Sequence, residues 1–228
     1  MRKLTSFIVI LLVYTNIYSQ DVKNKNWVLK LNAIQLVDVF SFPTLQISAE
    51  RKINYFLSMN SEFGYQIYEN RQKLDTIFFK PKGFKANVET RIYLSKLFSK
   101  RIKSNKSEFY VGCQLFYRQN QSTNSVDYSP KIDSTKNYSD TFGTKRKVKG
   151  VNLTVGYQFS TGKKIVLEPF IGLGFQNKEI KNTNISYRKE KDFINAYDLS
   201  PLFQKLNLEE SSGNSFDFSM GFRIGYRF

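Results

Sequence analysis

The end of the chain alternates strictly between apolar residues and polar or small ones. The apolar positions are Phe216, Phe218, Met220, Phe222, Ile224, Tyr226 and Phe228. Successive side chains of a β-strand point to opposite faces, so a period of two predicts a strand with one apolar and one polar face. Because the alternation is unbroken, this is the clearest element of the sequence.

The same alternation recurs upstream and predicts seven further strands. They cover residues 27–37, 44–51, 57–67, 86–94, 109–117, 151–159 and 165–175. Thr161 and Gly162 predict a tight turn between the last two of these. Pro169 has no N–H to donate to a neighbouring strand, so we expect a bulge or a locally missing bond at that position.

The connections between these strands fall into two kinds. Short links lie near 52–55 and 161–164, with a moderate one near 95–107. The alternate links lie near 38–43, 69–83, 122–144 and 179–214 and are mostly longer. An even number of strands with alternately short and long links is typical of an all-β, eight-stranded, antiparallel, up-and-down transmembrane β-barrel. The long links, 69–83, 122–144 and 179–214, are then the outer loops.

The volume of such a barrel decides which face points inward. An eight-stranded barrel is just wide enough to hold its own side chains. Seven glycines share the polar face, namely Gly64, Gly112, Gly156, Gly172, Gly174, Gly221 and Gly225. We therefore expect the polar face inside and the bulky apolar face, including Cys113, against lipid. A lipocalin-like soluble barrel would have the opposite arrangement.

The N-terminus predicts export. Arg2 and Lys3 precede an apolar run at 7–14, and small and polar residues follow it up to position 20. This is the pattern of a signal peptide, which we place at 1–20, with the barrel domain at 21–228. The alternative is an uncleaved anchor, but the run is much shorter than the roughly 20 residues of a spanning helix. The predicted location is the outer membrane.

The strand pattern from Trp27 to Phe228 resembles an uncharacterised family of small Gram-negative outer-membrane barrel proteins, broadly of the OmpX/OmpA-transmembrane type. The stretches that carry the resemblance are 84–94, 109–118, 151–159 and 222–228. The resemblance implies an assembly signal at the C-terminus, read by the outer-membrane assembly machinery and formed by Phe222, Ile224, Tyr226 and Phe228. It implies no particular activity, because this barrel type hosts many roles.

The composition argues against catalysis. The chain contains no histidine, which removes the usual general base and the commonest metal ligand. We therefore expect no enzyme activity, no catalytic residues, no metal and no cofactor. The net charge of +16 is spread over loops and strand ends. An exported protein without a basic stripe is not expected to bind nucleic acid.

The polar face carries ionisable residues of both signs, which we predict to form a polar network in the lumen. They are Lys30, Glu50, Glu62, Glu89, Arg91, Arg118, Glu168, Asp217, Arg223 and Arg227. Confined charges are costly unless they are paired, so a plug of ion pairs is the favoured interpretation. A proton or ion path is the alternative.

A basic run lies where the sixth strand emerges on the outer side. It consists of Lys145, Arg146, Lys147 and Lys149. These residues would lie next to the phosphates of lipopolysaccharide, which makes them a candidate contact. A solvated overhang of the strand is an equally good interpretation.

The sequence thus predicts a non-catalytic barrel with a structural or surface-interaction role. Its partners would be outer-membrane lipid, lipopolysaccharide, the assembly machinery and an unknown surface partner. The outer loops supply aromatic anchors at Tyr128, Tyr138, Phe142, Tyr187, Phe193, Tyr197 and Phe203. The alternative functions are a narrow pore or an accessory subunit of a transport complex, and, less favoured, an enzyme that uses Glu, Asp, Ser or Tyr.

Overall fold

The computed structural model describes residues 27–37, 42–66, 79–98, 107–162, 164–188, 190–194 and 210–228. The predicted signal peptide lies outside these residues, as do large parts of the predicted outer loops 69–83 and 179–214. The strands are β1 (Trp27–Asn32), β2 (Leu45–Lys52), β3 (Leu57–Tyr65), β4 (Phe79–Tyr93), β5 (Ser107–Pro130), β6 (Tyr138–Thr161), β7 (Ile165–Thr183), β8 (Asp192–Ile194) and β9 (Ser211–Arg227). A 3-10 helix, Ile34–Val37, and a short helix α1, Leu94–Phe98, complete the elements.

The strands form one antiparallel sheet that closes on itself. Each strand from β1 to β6 pairs with the next, β7 pairs with β9, and β9 pairs back with β1. The N–H of Phe228 donates to the carbonyl of Trp27 at 3.1 Å, so the last residue joins the first strand. The short β8 pairs with the outer end of β5. The predicted all-β antiparallel class is confirmed.

Burial alternates along the strands with the polar residues inside. On β6 the side chains of Asn152 and Thr154 are fully buried, whereas Leu153 between them is 67% exposed. The same inversion holds for the other strands of the closed sheet, where Leu115 and Leu173 are each 61% exposed. The predicted orientation of the two faces is confirmed, and Cys113 is exposed with the apolar set.

Interior glycines make room for the large side chains opposite them. A Cβ atom placed on Gly156 would overlap the ring of Tyr110, and one placed on Gly221 would overlap the ring of Phe170. Large and small residues therefore interlock across neighbouring strands, which is how a narrow interior reaches the packing density of a protein core.

The structure bears on two sequence predictions near the turn between β6 and β7, at Pro169 and at Gly162. Pairing of β7 with β6 lapses at Glu168 and Pro169, opposite Gln158 and Tyr157, and resumes in the same register. This is the locally missing bond expected at Pro169, without a bulge. Gly162 in the turn has a φ of 70°, a conformation that favours glycine.

The predicted strand 27–37 is wrong in its second half. The chain leaves the sheet after Asn32 and forms the 3-10 helix, where the N–H of Leu36 donates to the carbonyl of Ala33 at 3.2 Å. The Gln35 side chain bonds to the carbonyl of Met220 at 3.4 Å, so this turn lies against β9.

The predicted outer loop 122–144 is also wrong. β5 and β6 continue through it as a hairpin, paired without interruption from Ser107↔Phe159 to Tyr128↔Tyr138, and only residues 131–137 form the turn. In this part of the hairpin the outward residues are polar as well, such as Thr141, Lys145 and Lys147 on β6, so the alternation of apolar and polar residues that identifies strands is absent there. For the same reason the sequence pattern does not predict β8, which lies inside the predicted loop 179–214.

Candidate functional site

Seven charged side chains from six strands meet in the interior. Lys30 comes from β1, Glu50 from β2, Glu62 from β3, Glu89 and Arg91 from β4, Glu168 from β7 and Arg223 from β9. All are at most 4% exposed. Each lies on the polar phase of its strand, so alternation alone turns all of them towards the same enclosed space. We call this group the lumen network.

Glu168 and Glu50 are the centre of the lumen network. Glu168 accepts hydrogen bonds from Arg91 at 3.1 Å and from Arg223 at 2.7 Å, and it also contacts Lys30. Glu50 accepts from Arg91 at 3.0 Å and likewise contacts Lys30. The two carboxylates thus share two cations, which holds β2, β4 and β7 to β1 across the interior.

The other two carboxylates of the lumen network are bonded as well. Glu89 accepts from Arg91 at 2.6 Å and from the Thr154 hydroxyl at 2.6 Å. Glu62 accepts from the Arg223 Nε at 2.8 Å and from the Asn32 amide at 3.0 Å. Every buried charge in the lumen network therefore has an oppositely charged partner, the condition under which buried ions are tolerated.

The remaining predicted lumen residues lie towards the two ends. Arg118 forms a two-pronged ion pair with Asp217 at 3.0 and 3.1 Å, and the Asn152 amide also donates to Asp217 at 2.7 Å. Arg118 and Arg227 are half-buried, whereas Asp217 is buried. The structure thus brings seven of the ten predicted residues into one cluster and places Arg118 and Asp217 in a separate pair.

Sequence reasoning missed several interior residues. Tyr110 donates to Glu168 at 3.0 Å, Tyr93 donates to Glu50, and the Gln158 amide donates to both carboxylates at 3.0 and 3.1 Å. All three occupy positions that alternate with the outward apolar residues of their strands, so the sequence pattern already indicates that they face the interior. The predicted lumen network does not include them because it contains only Lys, Arg, Asp and Glu residues.

The described residues also bear on metal binding and on membrane-spanning helices. Within the described residues, no group of three or more His, Cys, Asp or Glu side chains is placed to hold a metal ion. In the same part of the chain, none of the helices combines the length and the apolar character needed to cross a membrane. What the lumen network does is fill space and hold strands together.

The outer face of the sheet carries a column of three lysines. Lys145, Lys147 and Lys149 point outward on β6, in phase with the exposed Val151. Arg146 lies between them on the opposite phase, and its Nε is buried. The four residues of the candidate lipopolysaccharide contact therefore lie on two faces of β6, because alternation turns Arg146 inward. Burial and the charge of Arg146 lower the pKa of Lys178 on the neighbouring strand to about 8.

The outer ends of β5, β6 and β8 form a small sheet with its own core, which we call the outer sheet. Phe142 is fully buried there against Ile185 and Tyr187. Asp140 accepts from the backbone N–H groups of Ser186 at 2.6 Å and Tyr187 at 2.9 Å, which ties the chain after β7 to β6. The outer sheet is thus an ordered platform, where the sequence predicted loops.

The predicted aromatic anchors divide into two groups. Phe142 is a core residue of the outer sheet, so its buried ring is not placed to contact a binding partner. Tyr138 is 47% exposed and Phe193 is 56% exposed, and Ile132 in the turn is 99% exposed. Tyr197 and Phe203 lie outside the described residues. The exposed apolar surface of the outer sheet is therefore at its tip.

Comparison with known proteins gives a matching family and a similar solved structure. Residues 6–208 match a family model described as "Protein of unknown function (DUF3575)". No curated protein matches the chain. The chain is similar to a solved structure described as a major outer membrane protein from Thermus thermophilus, at 11% sequence identity and a TM-score of 0.49, over 89% of this chain and 99% of that chain.

Proposed function

We propose, for a chain that belongs to the DUF3575 family of proteins of unknown function, a role as a non-catalytic outer-membrane β-barrel with a filled lumen. The observation that carries this proposal is the inverted burial. Leu153, Leu173 and Phe175 are each more than 60% exposed, while Glu50, Glu89 and Glu168 are fully buried. A continuous outward apolar face is stable only against lipid, and a closed sheet leaves no unpaired edge in it.

The barrel that we propose has eight strands, β1 to β7 and β9. This number leaves an interior just wide enough for side chains. The lumen network and the rings of Tyr93, Tyr110 and Phe170 occupy that interior, and all three rings are buried. The barrel therefore supports a structural or surface role better than the alternative of a pore.

The surface role that we propose belongs to the outer sheet. Up-and-down membrane barrels have short periplasmic turns and longer outer connections, which places the outer sheet on the cell surface. Its buried Phe142 and the bonds of Asp140 join its segments to each other, and it carries the exposed Ile132 and Phe193. A rigid platform loses less conformational entropy on binding than a mobile loop does.

The first test is conductance. Purified protein reconstituted in planar bilayers is expected to show no steady channel of porin size, because the paired charges fill the cross-section. Membrane fractionation and heat-modifiable migration on gels would report the location and folding of the same preparation. Large and regular channels would overturn the filled-lumen proposal and favour the pore or transport role.

The second test removes the outer sheet. Residues 124–142 and 184–210 are replaced by short Gly-Ser links, which cuts β5 and β6 at their paired residues Thr123 and Gly143. The barrel is expected to fold, because the lumen network and the lipid-facing band lie outside the deleted segments. Cross-linking on intact cells then compares the two forms. Identical cross-linked partners with and without the outer sheet would refute its surface role.

A further inference from the structure

We propose that the lysine column of β6, Lys145, Lys147 and Lys149, binds the phosphate groups of lipopolysaccharide at the outer boundary of the apolar band. The inference rests on the proposed outer-membrane location and goes beyond it by naming a ligand and its site. Three observations carry it: the height of the column on the barrel wall, the excess of positive over negative charge around it, and the aromatic rings beside it.

The strand registers fix the height of the column. The last fully apolar row of outward residues runs through Leu115, Val151 and Phe175, which are paired across β5, β6 and β7. In the next outward row, Lys149 is paired with Tyr117 on one side and Asn177 on the other. The wall thus changes from apolar to cationic over two residues, about 7 Å of strand.

The column continues away from the lipid at the same spacing. Lys147 and Lys145 follow Lys149 at alternate positions of β6, so the three ammonium groups line one face over about 14 Å of strand. A bis-phosphorylated headgroup presents anionic oxygens on a comparable scale, and ammonium groups bind phosphate as point charges. Arg146 points inward and does not contribute.

Little on the protein neutralises the column. Within the described residues, none of the three lysines forms an ion pair. Their neighbours on β5 are the neutral Gln119 and Gln121. On β7 the acidic Glu179 lies opposite Lys147; it is paired with Lys181 at 2.7 Å and also interacts electrostatically with Lys147 and Lys149, so one carboxylate offsets part of the charge of four lysines. The surface therefore keeps a net positive charge at the level where lipid phosphates lie.

Aromatic rings border the column at the same level. Phe84 lies 5.7 Å from Tyr117 and 6.1 Å from Phe63, ring centre to ring centre, on the β3–β5 side. The rings of Phe175 and Phe216 lie 4.8 Å apart, centre to centre, on the β7–β9 side. Such rings mark the boundary between headgroups and acyl chains in membrane barrels. A lipid with its phosphates on the lysines would lay its chains on Val151 and Leu153.

The test measures the binding of lipid A to the full-length protein folded in a zwitterionic detergent. Native mass spectrometry gives the affinity for bis-phosphorylated lipid A, with dephosphorylated lipid A and inorganic phosphate as the other two probes. The variant K145Q/K147Q/K149Q removes the column. The control K131Q/K136Q/K191Q removes the same number of charges from the tip of the outer sheet, where Lys131, Lys136 and Lys191 are all exposed.

The column variant is expected to bind lipid A roughly 100-fold more weakly, since each cation near an anionic lipid surface contributes about fivefold. The control is expected to bind as the wild type does, and dephosphorylated lipid A is expected to bind poorly to all three proteins. The proposal is overturned if the column variant keeps the wild-type affinity, if the control loses as much as the column variant, or if inorganic phosphate displaces lipid A at equal concentration.

Heat-modifiable migration separates this proposal from the one on which it rests. A wild-type chain that does not fold in lipid would refute the barrel itself. A wild-type chain that folds and is found in the outer membrane, but binds lipid A independently of the three lysines, would refute only the lipid site.

Discussion

Replacing Gly156 with alanine tests the interior packing with one methyl group. Gly156 on β6 is paired with Tyr110 on β5, and a Cβ atom there would overlap the Tyr110 ring. The ring has little room to move. It lies 5.8 Å from the ring of Tyr93 and 4.5 Å from the guanidinium carbon of Arg91, and its hydroxyl donates to Glu168 at 3.0 Å.

The destabilisation follows from these contacts. Adding a methyl group to a packed interior lowers the free energy of unfolding by about 1–3 kcal/mol. Displacing the Tyr110 hydroxyl from a charged acceptor removes about 1.5–3 kcal/mol more. We therefore expect Gly156→Ala to lower the free energy of unfolding by about 3–5 kcal/mol. This loss is a large share of the total free energy of unfolding of a small domain.

Urea-induced unfolding in lipid vesicles measures this effect. The fluorescence of Trp27, the single tryptophan of the chain, reports the transition, because its side chain is 49% exposed on the outward face. Gly213→Ala is the matched control, since nothing lies within 4 Å of a Cβ atom at that position of β9. If the two variants unfolded at the same urea concentration, the interior packing described above would be incorrect.

Three further predictions use the same assays. Arg223→Met leaves Glu62 with only an amide partner and should lower the free energy of unfolding by about 3–5 kcal/mol. Lys181→Gln breaks only an exposed ion pair and should leave the free energy of unfolding nearly unchanged. Similar losses in the two variants would contradict the role of the lumen network. Deleting Phe228 removes its bond to the Trp27 carbonyl and its ring contact with Tyr226 at 5.1 Å. Less heat-modifiable protein should therefore reach the outer membrane. Normal levels of the truncated protein there would argue against an assembly role for the last strand. Gly172→Trp should block folding and Val155→Trp should not, because only the second side chain faces outward; equal tolerance would mean that the faces are reversed.

The sequence by itself determined the strand class and the face of each residue. Along the central parts of the strands one side is an exposed apolar surface and the other a crowded polar interior, so the face of each residue follows from its place in the alternation. That is why Glu50, Glu168 and Arg223 were predicted as interior residues from three distant segments. It is also why the glycines indicated the narrow side.

Only the tertiary structure decided which interior charges meet. Phase gives the face of a residue but neither its height nor its position around the closed sheet, because these depend on the stagger between strands. Lys30 therefore joins Glu50 and Glu168, while Asp217, equally interior by phase, pairs with Arg118 instead.

Only the tertiary structure showed where the strands end. Towards the β5–β6 turn the outward residues are polar as well, such as Gln119, Lys145 and Lys147, so apolar and polar residues no longer alternate. The hairpin to Tyr128 and Tyr138 therefore resembles a loop in the sequence. Its order comes from contacts between distant segments, such as Phe142 with Tyr187, which no local pattern records. Alternation predicts a strand only where the two faces of the strand differ in polarity. Elsewhere the pairing of neighbouring strands decides where a strand ends.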